Sequence, residues 1–339
     1  SFFDPIVKKF GDDAPRMVVE NPNMGPQVLV GPGDIGASAA GFLQVGVDFS
    51  KPEAQEQMKH GYALARPGCW DPNARMLDMD EDEVNAEVLY PSLMFSLFRM
   101  KKPEVLNYTF HLYNDWIADH CKDHRDRMFP LGCVNIVDIE SAIKELHRCK
   151  RLGHVGVCVA ATAPPERPYS HPDYDRFWAT AQDLGMSLSM HMLTGATRWH
   201  AMPFEPADNQ LAFAGVMFTI HDLIWSGVCE RFPSLKFVIT EFETGWIAIM
   251  LKRMDWLYLR RGGARNYGLP LKPSDYWRRQ FYATFEDDPL GILTRDHIGT
   301  NTLMWGSDYP HGDSIFPTSQ AILSEVLSAC SPHEVFEMT

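Results

Sequence analysis

The sequence predicts an α/β protein built as an eight-stranded parallel βα barrel. From about residue 73 onward, short apolar runs alternate with helical patterns, and this alternation is typical of a parallel sheet. Seven strands can be recognised, so one further strand would complete an eightfold barrel. Acidic or imidazole side chains end four of the strands: His191, Glu241, Glu286 and Asp308. A closed ring brings such strand ends together more simply than a doubly wound sheet, which is the alternative.

Each strand is a short apolar run closed by a polar or turn residue. The predicted strands are 84–91, 128–136, 155–160, 187–192, 236–240, 281–285 and 302–306. The predicted helices are 74–83, 103–122, 138–152, 172–184, 210–228, 246–258 and 319–327, with one more ending near residue 297. In the helix 103–122, Leu106, Phe110 and Tyr113 lie near helical spacing and predict one apolar face.

The domain organisation follows from length and local composition. The chain has 339 residues, of which 45% are hydrophobic, and a βα barrel commonly uses ~250 residues as one unit. Residues 1–75 contain frequent Pro and Gly with weak strand patterns. We therefore expect an irregular N-terminal segment over 1–75 that packs on a catalytic barrel of residues 76–339.

Charge and composition argue against several classes of partner. The formal net charge is -13 and no clustered basic run occurs, which argues against a nucleic-acid partner. No apolar run approaches the ~18 residues of a membrane helix, and no signal peptide opens the sequence. A cytoplasmic protein is the resulting expectation. Seven scattered cysteines without a CxxC pair predict reduced thiols.

The segment 302–311, with the sequence TLMWGSDYPH, carries the clearest chemistry. A buried strand breaks at Gly306 and is followed by Asp308 and, three residues later, His311. At the C-terminal end of a barrel strand, an Asp and a His are suited to hold a metal and to move a proton. The alternative interpretation is a polar turn that simply closes the strand.

Several motifs in chain order resemble the amidohydrolase-related family of TIM barrels, in the branch that contains aminocarboxymuconate-semialdehyde and resorcylate decarboxylases. The resemblance extends from Arg66 to about Phe336. It rests on EVLYP at 87–91, YNDW at 113–116, PY at 168–169, MH at 190–191, SGV at 226–228, RFP at 231–233, GW at 245–246, YATF at 282–285 and WGSDYPH at 305–311.

The resemblance implies a divalent metal, Zn, Mn or Fe, at the barrel mouth. It assigns His191 and Asp308 as metal ligands, and Glu241 stands where the family's decarboxylases have a histidine. A carboxylate there could be a further ligand or a general base. The family's first strand, with its metal-binding His pair or Glu-x-His, is not found in the sequence, so we expect a strand bearing at least one His upstream of Ser1.

The remaining candidates are assigned by their place beside strand ends or in the loops. His311 and His221 are candidate catalytic residues, together with Asp308 and Glu241. Candidate substrate-binding residues are Arg198, Trp199, His200 and Glu286. The structural alternatives are a helix cap for His311, a core residue for His191 and a solvated or ion-paired carboxylate for Glu241.

The first functional interpretation is a metal-dependent hydrolase of a small carboxylated, amide or ester substrate, in which Asp308 takes a proton from an activated water. The same residues serve a metal-dependent decarboxylase of an aromatic or unsaturated acid. A dinuclear-iron oxygenase is a third interpretation because Glu241 adds a carboxylate, and an inactive barrel acting as a binding subunit is the fourth. The expected partner is a small molecule, and the resemblance makes a homodimer plausible.

Overall fold

The structure is a computed structural model of the chain that describes residues 2–19, 26–31, 34–38, 43, 45, 47, 51–52, 60, 65–195 and 212–339. The chain divides into two compact units. The first unit comprises Ser1–Asn135, Leu152–His154 and Ser307–Ile322, and the second comprises Ile136–Arg151, Val155–Gly306 and Leu323–Thr339.

The described strands and helices follow in chain order. The strands are β1 (Arg16–Val18), β2 (Gln27–Gly31), β3 (Asp34–Ser38), β4 (Glu87–Leu89), β5 (Met128–Cys133), β6 (Gly156–Val159), β7 (Ser187–His191), β8 (Phe237–Thr240), β9 (Phe281–Phe285) and β10 (Leu303–Trp305). The helices are α1 (Asp4–Phe10), α2 (Pro72–Glu81), α3 (Pro103–His120), α4 (Ile139–Leu152), α5 (Asp175–Leu184), α6 (Ala212–Trp225), α7 (Val228–Arg231), α8 (Ile247–Arg260), α9 (Ala264–Tyr267), α10 (Pro273–Gln280), α11 (Pro289–Leu293), α12 (Arg295–Ile298), α13 (Ser319–Val326) and α14 (Pro332–Met338).

The strands β4 to β10 are parallel and are separated by helices, as the sequence predicts. In the first unit β4 pairs with β5, and in the second unit β6 to β10 pair in chain order. Each of the seven predicted strand segments contains one of these strands. The prediction of a TIM-barrel-like α/β fold is therefore confirmed.

The N-terminal segment contains more regular structure than the sequence suggests. β1, β2 and β3 form an antiparallel sheet in which Val28, Leu29 and Val30 are buried. These strands have three to five residues, and the register between β2 and β3 shifts, so the sequence shows no long alternation. The domain boundary near residue 75 stays a prediction.

Aromatic side chains fill the core of the second unit at the N-terminal ends of its strands. Phe237 begins β8 and Phe281 begins β9; the two are register partners, and their ring centroids are 5.1 Å apart. Trp178 packs on Phe237 at 6.1 Å and Trp277 stacks on Phe281 at 5.2 Å. Burial of each such ring contributes on the order of 1.5–3 kcal/mol. Acidic side chains follow the C-terminal ends of the same strands, Glu241 after β8 and Glu286 after β9.

Two predictions from composition concern cysteines and membranes. All seven cysteines have free thiols, as expected. No described helix combines the length and the apolar content that crossing a bilayer requires.

Candidate metal and catalytic site

The structure brings His191 and Glu241 together in the second unit. His191 is the last residue of β7, and its ring Nδ1 lies 2.7 Å from the carbonyl oxygen of Met192. Because a carbonyl only accepts, Nδ1 carries the hydrogen, and Nε2 faces Glu241 Oε2 at 3.3 Å. In the neutral ring, the lone pair of His191 Nε2 then faces the Glu241 carboxylate oxygen, and the two repel each other. A cation or a proton between the two atoms stabilises the arrangement. The pair has the donor chemistry of a divalent-metal site.

Glu241 reaches this position through an unusual backbone conformation directly after β8. Its φ is +65°, in the left-handed region that costs a non-glycine residue on the order of 1–2 kcal/mol. Its backbone N–H donates to Thr284 Oγ1 at 3.0 Å. A side chain at the end of β9 thus helps to hold the chain turn that presents the Glu241 carboxylate.

Asp308 and His311 form a second pair, in the first unit. His311 Nδ1 lies 2.9 Å from Asp308 Oδ1, and the His311 backbone N–H donates to the Asp308 carbonyl at 2.9 Å. The other ring nitrogen of His311 lies 3.1 Å from Ser92 Oγ. Asp308 also has a positive φ, +53°. The carboxylate, the imidazole and the hydroxyl are a connected set that can hold and move a proton.

Tyr309 anchors the turn next to Asp308. Its hydroxyl donates to Asp78, whose other carboxylate oxygen accepts from Arg66 Nε at 2.8 Å. The guanidinium of Arg75 lies 3.6 Å from the centre of the Tyr309 ring. Burial and the bond to Asp78 raise the pKa of Tyr309, so the phenol stays neutral and keeps donating. Arg66 also forms an ion pair with Glu81, so its guanidinium is neutralised by two carboxylates of the first unit, Asp78 and Glu81.

The other predicted residues have different surroundings. Glu286 directly follows β9 and is half-buried. His221 lies in α6 and lines a groove of about 220 Å³ with Trp225 and with α8 residues such as Arg253. Burial lowers the pKa of His221, which favours a neutral ring. The roles of Glu286 and His221 stay predictions, and Arg198, Trp199 and His200 lie outside the described residues.

Sequence reasoning missed three residues that support the two pairs. Ser92, Thr284 and Asp78 contact His311, Glu241 and Tyr309 respectively, from 219, 43 and 231 positions away along the chain. Ser92 follows Pro91 just after β4, a strand-end position that could have marked it. Thr284 lies in the YATF motif, which does not indicate its contact with Glu241, and Asp78 carries no local signal.

Parallel strands with imidazole and carboxylate pairs at their C-terminal ends define a class of barrel enzymes that bind metals. A family model described as Amidohydrolase matches residues 41–335, and the chain belongs to the amidohydrolase family. The family resemblance read from the sequence is confirmed, and the protein is an enzyme of this superfamily.

Two curated relatives are decarboxylases. The chain is 23% identical over 271 residues to 2-amino-3-carboxymuconate-6-semialdehyde decarboxylase of Dictyostelium discoideum, covering 77% of this chain and 71% of that protein. It is 27% identical over 224 residues to gamma-resorcylate decarboxylase of Polaromonas sp., covering 60% of this chain and 66% of the relative.

Solved structures share the fold. An amidohydrolase from Mycobacterium avium subsp. paratuberculosis superposes with a TM-score of 0.79 at 20% identity, covering 99% of this chain and 93% of that one. A dihydroxybenzoic acid decarboxylase from Polaromonas sp., solved with manganese and 2-nitroresorcinol, has a TM-score of 0.64 at 20% identity and covers 78% and 82%. The expected divalent-metal cofactor agrees with the manganese in that structure.

Proposed function

We propose that the protein is a metal-dependent decarboxylase of an aromatic or unsaturated carboxylic acid. The observation that carries the proposal is the pair of imidazole–carboxylate contacts after strand ends, His191 with Glu241 and Asp308 with His311. Hydrolysis was the first expectation from the sequence. The same residue types serve hydrolysis and decarboxylation, so the residues alone do not separate the two reactions. The curated relatives are decarboxylases and therefore support decarboxylation.

We assign metal binding to His191 Nε2 and to the carboxylates of Glu241 and Asp308. Carboxylate oxygens and imidazole nitrogens are the donors that divalent ions take in proteins. A metal ion bound by these residues would supply positive charge that stabilises the negative charge of the substrate carboxylate. Since the residue types do not select among Zn, Mn and Fe, the manganese in related structures makes Mn²⁺ the first ion to test.

We assign proton transfer to Asp308 and His311. In decarboxylation the bond between the substrate carbon and its carboxylate breaks, CO₂ leaves, and the electron pair that remains takes up a proton. His311 Nδ1 and Asp308 Oδ1 are 2.9 Å apart and share a hydrogen. The Ser92 hydroxyl contacts the other ring nitrogen and so orients the imidazole. This set would deliver the proton in a fixed direction.

Substrate contacts complete the proposal. Glu286 after β9 is a proposed substrate-binding residue, as are Arg198, Trp199 and His200. A homodimer and a cytoplasmic location also remain part of the proposal, and light scattering of the purified protein tests the dimer.

The proposal is tested by product analysis. Purified protein loaded with Mn²⁺ is incubated with 2,6-dihydroxybenzoate and with 5-carboxyvanillate, the acids named for related structures. We expect loss of CO₂ from at least one acid, seen by mass spectrometry, and one metal per chain. Hydrolysis of aryl esters or amides without CO₂ release would contradict the proposal. Oxygen consumption with two irons per chain would favour the oxygenase interpretation.

A further inference from the structure

Asp288 connects two strand-end loops of the second unit. It is 7% exposed and lies three residues after β9. Its Oδ2 accepts from the Thr244 N–H at 2.7 Å, the Thr244 hydroxyl at 2.9 Å and the Gly245 N–H at 2.8 Å. Its Oδ1 accepts from the Gly291 N–H at 2.9 Å. The Asp288 oxygens are the acceptors in all four hydrogen bonds, and an ionised carboxylate has only acceptor oxygens.

The contact between the two loops leaves no room for a larger residue. A Cβ on Gly291 would lie 1.9 Å from Thr244 Oγ1, and a Cβ on Gly245 would lie 3.0 Å from Leu290 Cβ. Thr244 itself is fully buried. The loop after β8 is thus fixed against the start of α11 by both hydrogen bonds and close packing.

This fixed loop begins with Glu241. Glu241 and Glu243 both have positive φ, +65° and +50°, and such conformations persist where the surroundings hold them. Thr284 bonds the N–H of Glu241, and Trp246 Nε1 donates to the carbonyls of Phe242 and Glu243 at 2.9 Å. Asp288 anchors the other end of the turn at Thr244.

We propose that Asp288 is a positioning residue that holds the Glu241 carboxylate in place for metal binding. This inference rests on the proposed function, in which Glu241 is a metal ligand. Asp288 is also the N-cap of α11, so a purely structural role is the alternative. Three of its four bonds, however, go to the Glu241 loop rather than to the helix.

The variant Asp288→Asn tests the proposal. An amide has one acceptor oxygen, so its NH₂ must face either the Gly291 N–H or the donors of Thr244 and Gly245. We expect the affinity of the metal-free protein for Mn²⁺, measured by calorimetric titration, to fall about 10- to 100-fold, as is typical when the partners of metal ligands are removed. An unchanged affinity in folded Asp288→Asn would overturn the proposal.

The matched control is Ser331→Ala, which removes another N-cap in the same unit. Ser331 Oγ accepts from the Glu334 N–H at 3.3 Å at the start of α14. We expect this variant to lower the melting temperature while its Mn²⁺ affinity stays at the wild-type value. A fall in affinity equal to that of Asp288→Asn would mean that lost helix capping, and not positioning, causes the effect.

Two further variants keep the outcomes separate. Glu241→Gln measures the ligand directly: if it binds Mn²⁺ like the wild type, the proposed ligand set is wrong, and with it the positioning role. If Glu241→Gln weakens binding and Asp288→Asn does not, only the positioning role is wrong. Should Asp288→Asn fail to fold, Thr244→Val removes one bond to Asp288. We expect an affinity about 2- to 10-fold lower, and no change would overturn the proposal.

Discussion

The residues that begin β8 and β9 differ in kind from the residues that directly follow these strands. At the N-terminal ends, Phe237 and Phe281 are fully buried and stack on each other. Directly after the C-terminal ends, Glu241 follows β8 and Glu286 follows β9, and both acidic side chains are half-buried. The same strands thus gain hydrophobic stabilisation at one end and present reactive groups at the other, so stability and chemistry can be changed separately.

The backbone shows the same contrast. Five non-glycine residues of the described chain have positive φ, and four of them follow the C-terminal ends of β7, β8 and β10: Leu193, Glu241, Glu243 and Asp308. Such residues cost on the order of 1–3 kcal/mol each and cluster at functional sites. Within the second unit, the packed rings at the start of β8 and β9 contribute stability that opposes this cost.

The largest expected effect is that of His191→Ala at the C-terminal end of β7. The change removes the proposed nitrogen ligand, so we expect Mn²⁺ affinity to fall by more than about 100-fold and decarboxylation to be lost. Circular dichroism should show an unchanged fold, and elemental mass spectrometry reports the metal. Wild-type metal content in the variant would show that His191 is a packing residue.

Asp308→Asn should have the next largest effect. The amide oxygen can still contact a metal, but the neutral group cannot share a proton with His311 as a carboxylate does. We expect much of the metal to remain and turnover to fall about 10²–10⁴-fold, the usual cost of losing a proton-transfer group. Steady-state kinetics on a confirmed substrate measures this. Wild-type turnover would rule out the assignment of Asp308.

Phe237→Leu at the opposite strand end should have the smallest effect on chemistry. A smaller side chain in the ring stack should lower the free energy of unfolding by about 1–2 kcal/mol, measured by urea denaturation. Mn²⁺ affinity should not change. If instead affinity falls tenfold or more, the two strand ends are coupled, and the separation of stability from chemistry is incorrect.

The sequence allowed the fold and the strand-end residues to be predicted because both depend on local patterns. Seven apolar runs, each followed by a helix, sufficed for the parallel sheet. Asp308 and His311 lie three residues apart, so their pairing could also be anticipated from the chain itself. His191 and Glu241 could be named as strand-end residues, but their contact depends on the neighbouring positions of β7 and β8.

The supporting contacts could not be predicted because no local pattern encodes them. Tyr309 and Asp78 are 231 positions apart, and Asp288 stands in an acidic run, EDD at 286–288, where nothing distinguishes the anchoring carboxylate from its neighbours. The positive φ of Glu241 is likewise set by the surrounding loop rather than by the residue type.

The left-handed backbone conformation of Glu241 and Glu243 has a consequence for laboratory evolution. Glycine and asparagine adopt positive φ at lower cost than glutamate, so a library selected only for heat resistance should accumulate them at Glu241 and Glu243. A clone changed at Glu241 would gain thermal tolerance and lose a proposed ligand. Selection for a more durable catalyst must therefore screen for turnover in every round.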